Sequence, residues 1–239
     1  MSEIKTETGK QSVELLVADL SSFKTVRELV DEFKGKYSRL DVLVNNAGVI
    51  LTKRLLSPDG YEKTFATNHL GHFLLTNLLL DTLIKSSPSR VINVTSEAHR
   101  GAKIDFDDLF GEKKYGSFKA YSQSKLANVL FTYELARRLE GTGVTVNCLH
   151  PGVVRTGFGH DTGGVLSALI HIGSPFFMSP IKSARSVVYL ASDPGLERVT
   201  GKHFSKSKEV ESSQESYDLE SAKRLWEVSE ELTGVRFRL

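Results

Sequence analysis

The stretch Leu40-Asp-Val-Leu-Val-Asn-Asn-Ala-Gly48 decides the fold. Leu40–Val44 is a short apolar run that suits a strand, and it ends in two asparagines, an alanine and a glycine that suit a turn. The same pattern recurs on either side. Upstream, Val13–Ala18 reads as a strand, Asp19 and Ser21 signal a helix start, and Phe23, Val26, Leu29, Val30 and Phe33 follow at helical spacing through Tyr37. Downstream, a long helical pattern covers about Gly60–Lys85, and Arg90–Thr95 is a strand that runs into Ser96. Ala120–Leu139 is helical, and Val144–Leu149 is a strand that runs into His150, Pro151 and Gly152. A helix over Ser183–Ala191, a short strand at Lys202–Phe204 and an amphipathic helix over Leu219–Leu232, stopped near Gly234, complete the order. Ser205–Ser216 reads as a charged surface loop. Strands alternating with helices predict an α/β fold, a doubly wound parallel sheet with helices on both faces. No repeat and no Pro-, Gly- or Ser-rich linker divides the chain, so residues 1–239 read as one domain.

Composition removes several functional classes. With 239 residues, 40% of them hydrophobic, the chain has the apolar content for a sizeable core and is not a disordered segment. Lys and Arg number 31 against 29 acidic residues, a net charge of +2, which gives no field for nucleic acid. Cys148 is the one cysteine, so there is no disulfide scaffold. The apolar stretch around Phe73–Leu80 is interrupted by Thr76, Asn77 and Asp81, short of a membrane span. Met1–Gly9 is polar and charged, without the features of a signal peptide or anchor, which predicts an intracellular protein, cytoplasmic or peripheral to a membrane.

In a sheet of this kind ligands bind at the carboxyl ends of the strands, and Asp19, Asn45, Ser96 and Pro151-Gly152 all follow predicted strands. Tyr121-Ser-Gln-Ser-Lys125 adds a phenol and an ammonium one helical turn apart, a proton-transfer pair or else a surface pair. An adjacent ammonium favours phenolate, lowering a tyrosine pKa from about 10 towards a range useful for proton transfer. Tyr115 and Lys119 repeat the spacing, but Gly111, Gly116 and Ser117 surround Tyr115 where a helix is disfavoured, so the pair has no geometric meaning. Ser96 offers a hydroxyl for a substrate oxygen, or else a turn cap. Asn68, unusual inside a helical pattern, offers an amide that orders a water near Lys125, or else a polar residue at a kink. His69 and His72 have a metal-compatible spacing without the Glu of a zincin motif, and read as structural, with no metal. Asn93-Val-Thr95 is a glycosylation sequon in a buried strand, Trp226 belongs to a core-facing stripe, and Cys148 reads as inert packing.

Taken in order, Asn45-Asn-Ala-Gly48, Thr67-Asn68-His-Leu-Gly-His72, Val94-Thr-Ser96, Tyr121-Ser-Gln-Ser-Lys125 and His150-Pro-Gly-Val-Val-Arg-Thr156 resemble the short-chain dehydrogenase/reductase family. The likeness runs from about Val13 to the C-terminus. Asn68–Thr76, Ser124–Phe131 and Gly201–Phe204 look like its retinol dehydrogenase branch. The resemblance implies a Rossmann-like fold and an NADP-dependent oxidoreductase, NAD not being excluded, that interconverts an alcohol and its aldehyde or ketone. Tyr121 would be the general acid or base, Lys125 would depress its pKa and hold the nicotinamide ribose, Ser96 would hold the substrate oxygen, and Asn68 would place a relay water. Asp19 would lie near the adenine, Asn45, Ala47 and Gly48 on the adenosine side, and Thr156, after Pro151-Gly152, on the carboxamide. The substrate would be a small apolar alcohol or carbonyl, a retinoid among them, under a lid at Gly157–Pro180. A homodimer or heterodimer would form through the helices Gly60–Lys85 and Ala120–Leu139.

The family pattern opens with a strand, a glycine-rich turn and a helix that this sequence lacks; after Gly9 the next glycine is Gly35. Aligned by strands, Val13–Ala18 is the third strand of the fold, and the first strand–helix–strand unit is missing. The expectation is a complete catalytic half-site beside a half-absent cofactor site, with Leu40–Val44 as an open sheet edge. An alternative is a non-catalytic, truncated isoform that pairs with a complete homologue.

Overall fold

The computed structural model describes residues 2–9, 12–152 and 180–239; Thr156 and most of the predicted lid, 157–179, lie outside the described residues. Strands β1 (Val42–Asn45), β2 (Ser89–Val94), β3 (Val144–His150), β4 (His203–Ser205) and β5 (Lys208–Glu209) form one sheet in that order. The first four are parallel, and β5 returns antiparallel through a tight turn at Lys206 and Ser207. Asn45, Asn93, Cys148 and His203 stand in one row across the sheet, so the strands end together at the edge where polar turns were expected.

Parallel pairing needs crossovers. Helix α1 (Ser2–Thr8) and helix α2 (Phe23–Lys36) precede β1. The crossover to β2, labelled α3, is α-helical over Lys63–Phe65 and Gly71–Lys85, with a π segment at Ala66–Leu70 between them. Its start is capped by the buried carboxylate of Glu62, which accepts from the amides of Thr64 (2.9 Å) and Phe65 (2.7 Å). Helix α4 (Ser117–Arg138) joins β2 to β3, α5 (Pro180–Ser192) precedes β4, and α6 (Leu219–Thr233) ends at Gly234 with φ 66. Val91 and Val146 face the α3–α4 side, while Ile92, Leu149 and Phe204 pack against Leu190 and Leu196 on the other. The predicted two-faced sheet is therefore present.

Two expectations are corrected. Val13–Ala18 is not a strand; it joins no ladder, and Leu15 and Val17 are 62% and 81% exposed. Apolar content makes a strand only where a neighbour satisfies its backbone, and among the described residues β1 pairs with β2 alone, leaving its outer edge open as anticipated. Ser205–Ser216 is not simply a surface loop. It contains the β5 hairpin, and Ser212, Ser213 and Ser216 are buried.

Helix α6 packs against α4 and the π segment of α3, the two helices expected to pair with another subunit. Trp226 lies 4.9 Å from Phe73 of α3 and 5.9 Å from Phe131 of α4, ring centre to ring centre, and every α4 residue from Ser122 to Ala136 is buried. His69 and His72 lie inside this seam, where burial lowers their pKa values to about 4 and about 3. They are neutral packing residues, His69 bonded to Ser229 at 2.9 Å. Among the described residues no cluster of His, Cys, Asp and Glu could hold a metal, and no helix is long and apolar enough to cross a membrane.

Where the π segment rejoins α-helix, the backbone of Leu20 lies against Gly71, and a Cβ there would fall 2.2 Å from the Leu20 carbonyl oxygen. Gly71→Ala should therefore cost about 1–3 kcal/mol. Urea unfolding should show a lowered midpoint, while Gly35→Ala, which meets nothing within 4 Å, should lose none.

Candidate active site

The C-terminal end of β2 is laced to α4 by buried hydrogen bonds. Asn93 Nδ2 donates to Thr132 Oγ1 (2.9 Å), Thr95 Oγ1 to the carbonyl of Lys125 (2.9 Å), and Lys125 Nζ to the carbonyl of Val94 (3.1 Å). The next residue is Ser96, in extended conformation at the start of a short turn of helix, Glu97–His99, that its hydroxyl caps by accepting from the Ala98 amide (3.3 Å). On α4, one turn before Lys125, stands Tyr121, whose phenol is near enough to Ser96 for that side chain to work against the rise in its pKa. Lys125 Nζ lies 5.7 Å from the centre of the Tyr121 ring. Phenol, hydroxyl and ammonium thus converge at the carboxyl end of the sheet.

The opposite wall is built from the turn after β1. A Cβ on Gly48 would sit 3.3 Å from Lys125 Nζ and 3.4 Å from Asn68 Oδ1, so this backbone approaches both side chains closely. Asn68, in the π segment, clamps the turn. Its Oδ1 accepts from the Val49 amide (2.8 Å), and its Nδ2 donates to the Val49 carbonyl (2.9 Å) and to Ser124 Oγ (2.9 Å). Both amide hydrogens are spent, so the side chain holds the wall and has no donor left for a water. The polar residue at the kink and the functional position are one and the same.

Asn45 ends β1. Its Nδ2 donates to Thr76 Oγ1 (2.9 Å) and Asn93 Oδ1 (2.8 Å), so its side chain ties β1 to β2 and α3 beneath the sheet end. Asp19 accepts from the amide (2.9 Å) and hydroxyl (2.8 Å) of Ser21, bonds that lower its pKa. Ala47 lies in the β1 turn, and Pro151-Gly152 directly follows β3, at the same sheet end. Tyr115 lies outside the helix as argued, its hydroxyl donating to the Leu51 carbonyl (2.9 Å), and Lys119 pairs with Asp105. Ser124 and His99 went unremarked in the sequence. Ser124 had a signal in its place within the Tyr121–Lys125 stretch; His99, in the turn after Ser96, had none.

Electrostatics correct a further expectation. Burial raises the pKa of Tyr121, and the Ser96 bond only partly opposes it. Burial works against the charge of Lys125 as well, and desolvation lowers its pKa to about 8. A dry pocket disfavours both charged forms at once.

The sequence matches the family model for short chain dehydrogenases over residues 1–163. It is 46% identical to retinol dehydrogenase 14 of Homo sapiens over 239 residues, covering 98% of this chain and 71% of that protein. It is 44% identical to retinol dehydrogenase 12 of Mus musculus, covering 99% and 74%. Among solved structures, an uncharacterized protein from Mycobacterium Paratuberculosis superposes with a TM-score of 0.78 at 35% identity, covering all of this chain and 82% of that one. The Pseudomonas aeruginosa RhlG/NADP active-site complex gives 0.67 at 27% identity, covering 85% and 79%.

The burial of Lys125 has a measurable consequence. At pH 7 the ammonium is charged in folded and unfolded chains alike, and the folded chain bears the desolvation cost. From about pH 8 to the ordinary 10.5 the folded chain sheds its proton first, so stability rises with pH across that window. Lys125→Met should be more stable than wild type at pH 7 by about 1–3 kcal/mol. Urea titrations at successive pH values should show the gap closing as the pH approaches 10.5.

Proposed function

The chain belongs to the short-chain dehydrogenase family and is an oxidoreductase resembling the retinol dehydrogenases; from that premise we propose that it interconverts an apolar alcohol and its aldehyde or ketone with NADP, residues 1–239 acting as one domain. The convergence of Ser96, Tyr121 and Lys125 at the carboxyl end of the sheet carries this reading.

Residues at this end fit the nicotinamide half of such a cofactor. Lys125 is 4% exposed, and among the described residues its ammonium has one carbonyl acceptor, Val94, for its three hydrogens. It faces backbone at Gly48 with no side chain between, chemistry suited to sugar hydroxyls. When bound, the nicotinamide supplies or takes up hydride at the substrate carbon. Tyr121 donates its phenol proton to the carbonyl oxygen in reduction and takes a proton from the alcohol in oxidation, while the Ser96 hydroxyl holds that oxygen. Lys125 supplies the positive charge that favours phenolate. Asn68 keeps the Gly48–Val49 wall in place, Asn45 holds β1 in register, and Ala47, Gly48, Pro151 and Gly152 bring backbone to the cofactor. By the family resemblance Asp19 would serve the adenine, and Thr156, outside the described residues, the carboxamide. NADP is favoured over NAD by the cofactor named for the RhlG complex, and a retinoid by the names of the relatives. The alternative, a non-catalytic chain pairing through α3 and α4, is disfavoured because α6 packs over those helices.

The test mixes the purified chain with NADPH and retinal and follows cofactor absorbance, with NADH in parallel. Turnover should depend on NADPH. Tyr121→Phe should lose about 10²–10⁴-fold in kcat, the usual contribution of a positioned acid. Undiminished turnover in that variant, or none in wild type with any aldehyde or ketone, would overturn the reading.

A further inference from the structure

The short turn after Ser96 carries an imidazole that the reaction does not use directly. His99 is fully buried. Its Nδ1 meets the carbonyl of Ser96, and its Nε2 lies 3.1 Å from the amide nitrogen of Ser213. A carbonyl only accepts and an amide N–H only donates, so both contacts are hydrogen bonds in one form alone: the neutral imidazole with its proton on Nδ1. Burial pushes its pKa below the ordinary value, which keeps that form.

The chain of contacts continues beyond Ser213. Its carbonyl accepts from the amide (3.1 Å) and hydroxyl (2.6 Å) of Ser216. The hydroxyls of Ser216 and Ser212 pair at 2.6 Å, and Ser212 pairs with the phenol of Tyr133 at 2.7 Å. Tyr133 is on α4, the helix that carries Tyr121. The contacts therefore run from Ser96 through His99, Ser213, Ser216 and Ser212 to Tyr133, on the helix that carries Tyr121.

We propose, resting on the oxidoreductase reading above, that His99 is a positioning residue that sets the direction of the Ser96 hydroxyl towards Tyr121, with Ser213 as its anchor. The lacing of β2 to α4 fixes where Ser96 begins. The peptide that follows Ser96 is held by the His99 amide on its carbonyl (3.1 Å) and by His150 Nδ1 on the Glu97 amide (3.3 Å), and the Ser96 hydroxyl accepts from Ala98 (3.3 Å); the imidazole adds the contact that ties this turn to the C-terminal segment. Through Ser213 the C-terminal segment becomes a strut of the catalytic pair.

Ser213→Pro isolates the anchor. Ser213 has φ −71, which proline adopts, and its hydroxyl has no partner among the described residues, so the variant chiefly deletes the amide hydrogen facing His99. His99→Asn keeps a donor near the Nδ1 position and loses the acceptor; His99→Ala loses both. With NADPH and retinal, kcat should fall about tenfold in Ser213→Pro and His99→Asn and about a hundredfold in His99→Ala, with KM within about threefold throughout. A second measurement needs no turnover: the tyrosinate absorbance titration of each chain minus that of its Tyr121→Phe counterpart reports Tyr121 alone. Its midpoint should rise in the same order, because a misdirected Ser96 no longer lowers the phenol pKa. Wild-type kcat and an unmoved Tyr121 titration in Ser213→Pro and His99→Ala would overturn the proposal, as would losses confined to KM. Absent turnover in wild type would count against the oxidoreductase reading, and the titration would still decide the role of His99.

Discussion

The site depends on one contact, the meeting of the carboxyl end of β2 with α4. A helix laid on a sheet by apolar packing alone can slide, and a slip of one turn is about 5 Å. Here Asn93, Thr95 and Lys125 fasten α4 along β2 with buried hydrogen bonds, two of them made to backbone carbonyls. Displacing the helix would leave these groups unpaired in a dry interior, each costing about 1–3 kcal/mol. The distance between Ser96 and Tyr121 is thus set by groups that have stability reasons to stay where they are.

That arrangement carries costs that the rest of the fold offsets. Lys125 is buried with a carbonyl for company, and Asn45 retains a buried oxygen without a partner among the described residues. The apolar reserve lies at the far end of α4, where Trp226 packs against Phe73, Phe131 and Phe237. One end of the helix is held by polar geometry and made for chemistry, and the other is held by aromatic packing and made for stability. The π segment of α3 belongs to the first kind. One extra residue in a turn of helix points Asn68 at the Val49 backbone, and Gly71 then admits Leu20 where a side chain could not fit.

Local patterns made much of this legible. Strand-then-turn runs at Leu40–Gly48 and Arg90–Ser96 located the sheet edge, and the glycines around Tyr115 separated a chance spacing from the pair on α4. What stayed hidden depends on contacts distant in sequence. Val13–Ala18 has the composition of a strand and lacks a neighbour to make it one. Asn45 looks like a cofactor contact until Thr76 and Asn93 are seen to claim its amide. The serines of 205–216 read as solvated because nothing local reveals that Tyr133 and His99 lie beneath them.

The opposed shifts of Tyr121 and Lys125 bear on direction. The sequence suggests an ammonium that makes its neighbour acidic, but in the folded chain the same dry pocket raises the phenol and lowers the amine. A carbonyl awaiting hydride needs a protonated phenol beside it, and burial maintains that form at neutral pH. An alcohol awaiting oxidation needs phenolate, which burial opposes and which only the Ser96 bond and a charged Lys125 favour. On the proposed reading burial keeps Tyr121 in the form that donates to a carbonyl, and proton uptake from an alcohol gains as the pH rises towards the ionisation of the phenol. Lys125 works against that gain, since the same rise in pH discharges the amine that would stabilise phenolate. Proton supply by the phenol and charge support by the amine thus coincide best below about pH 8, where Lys125 is still charged.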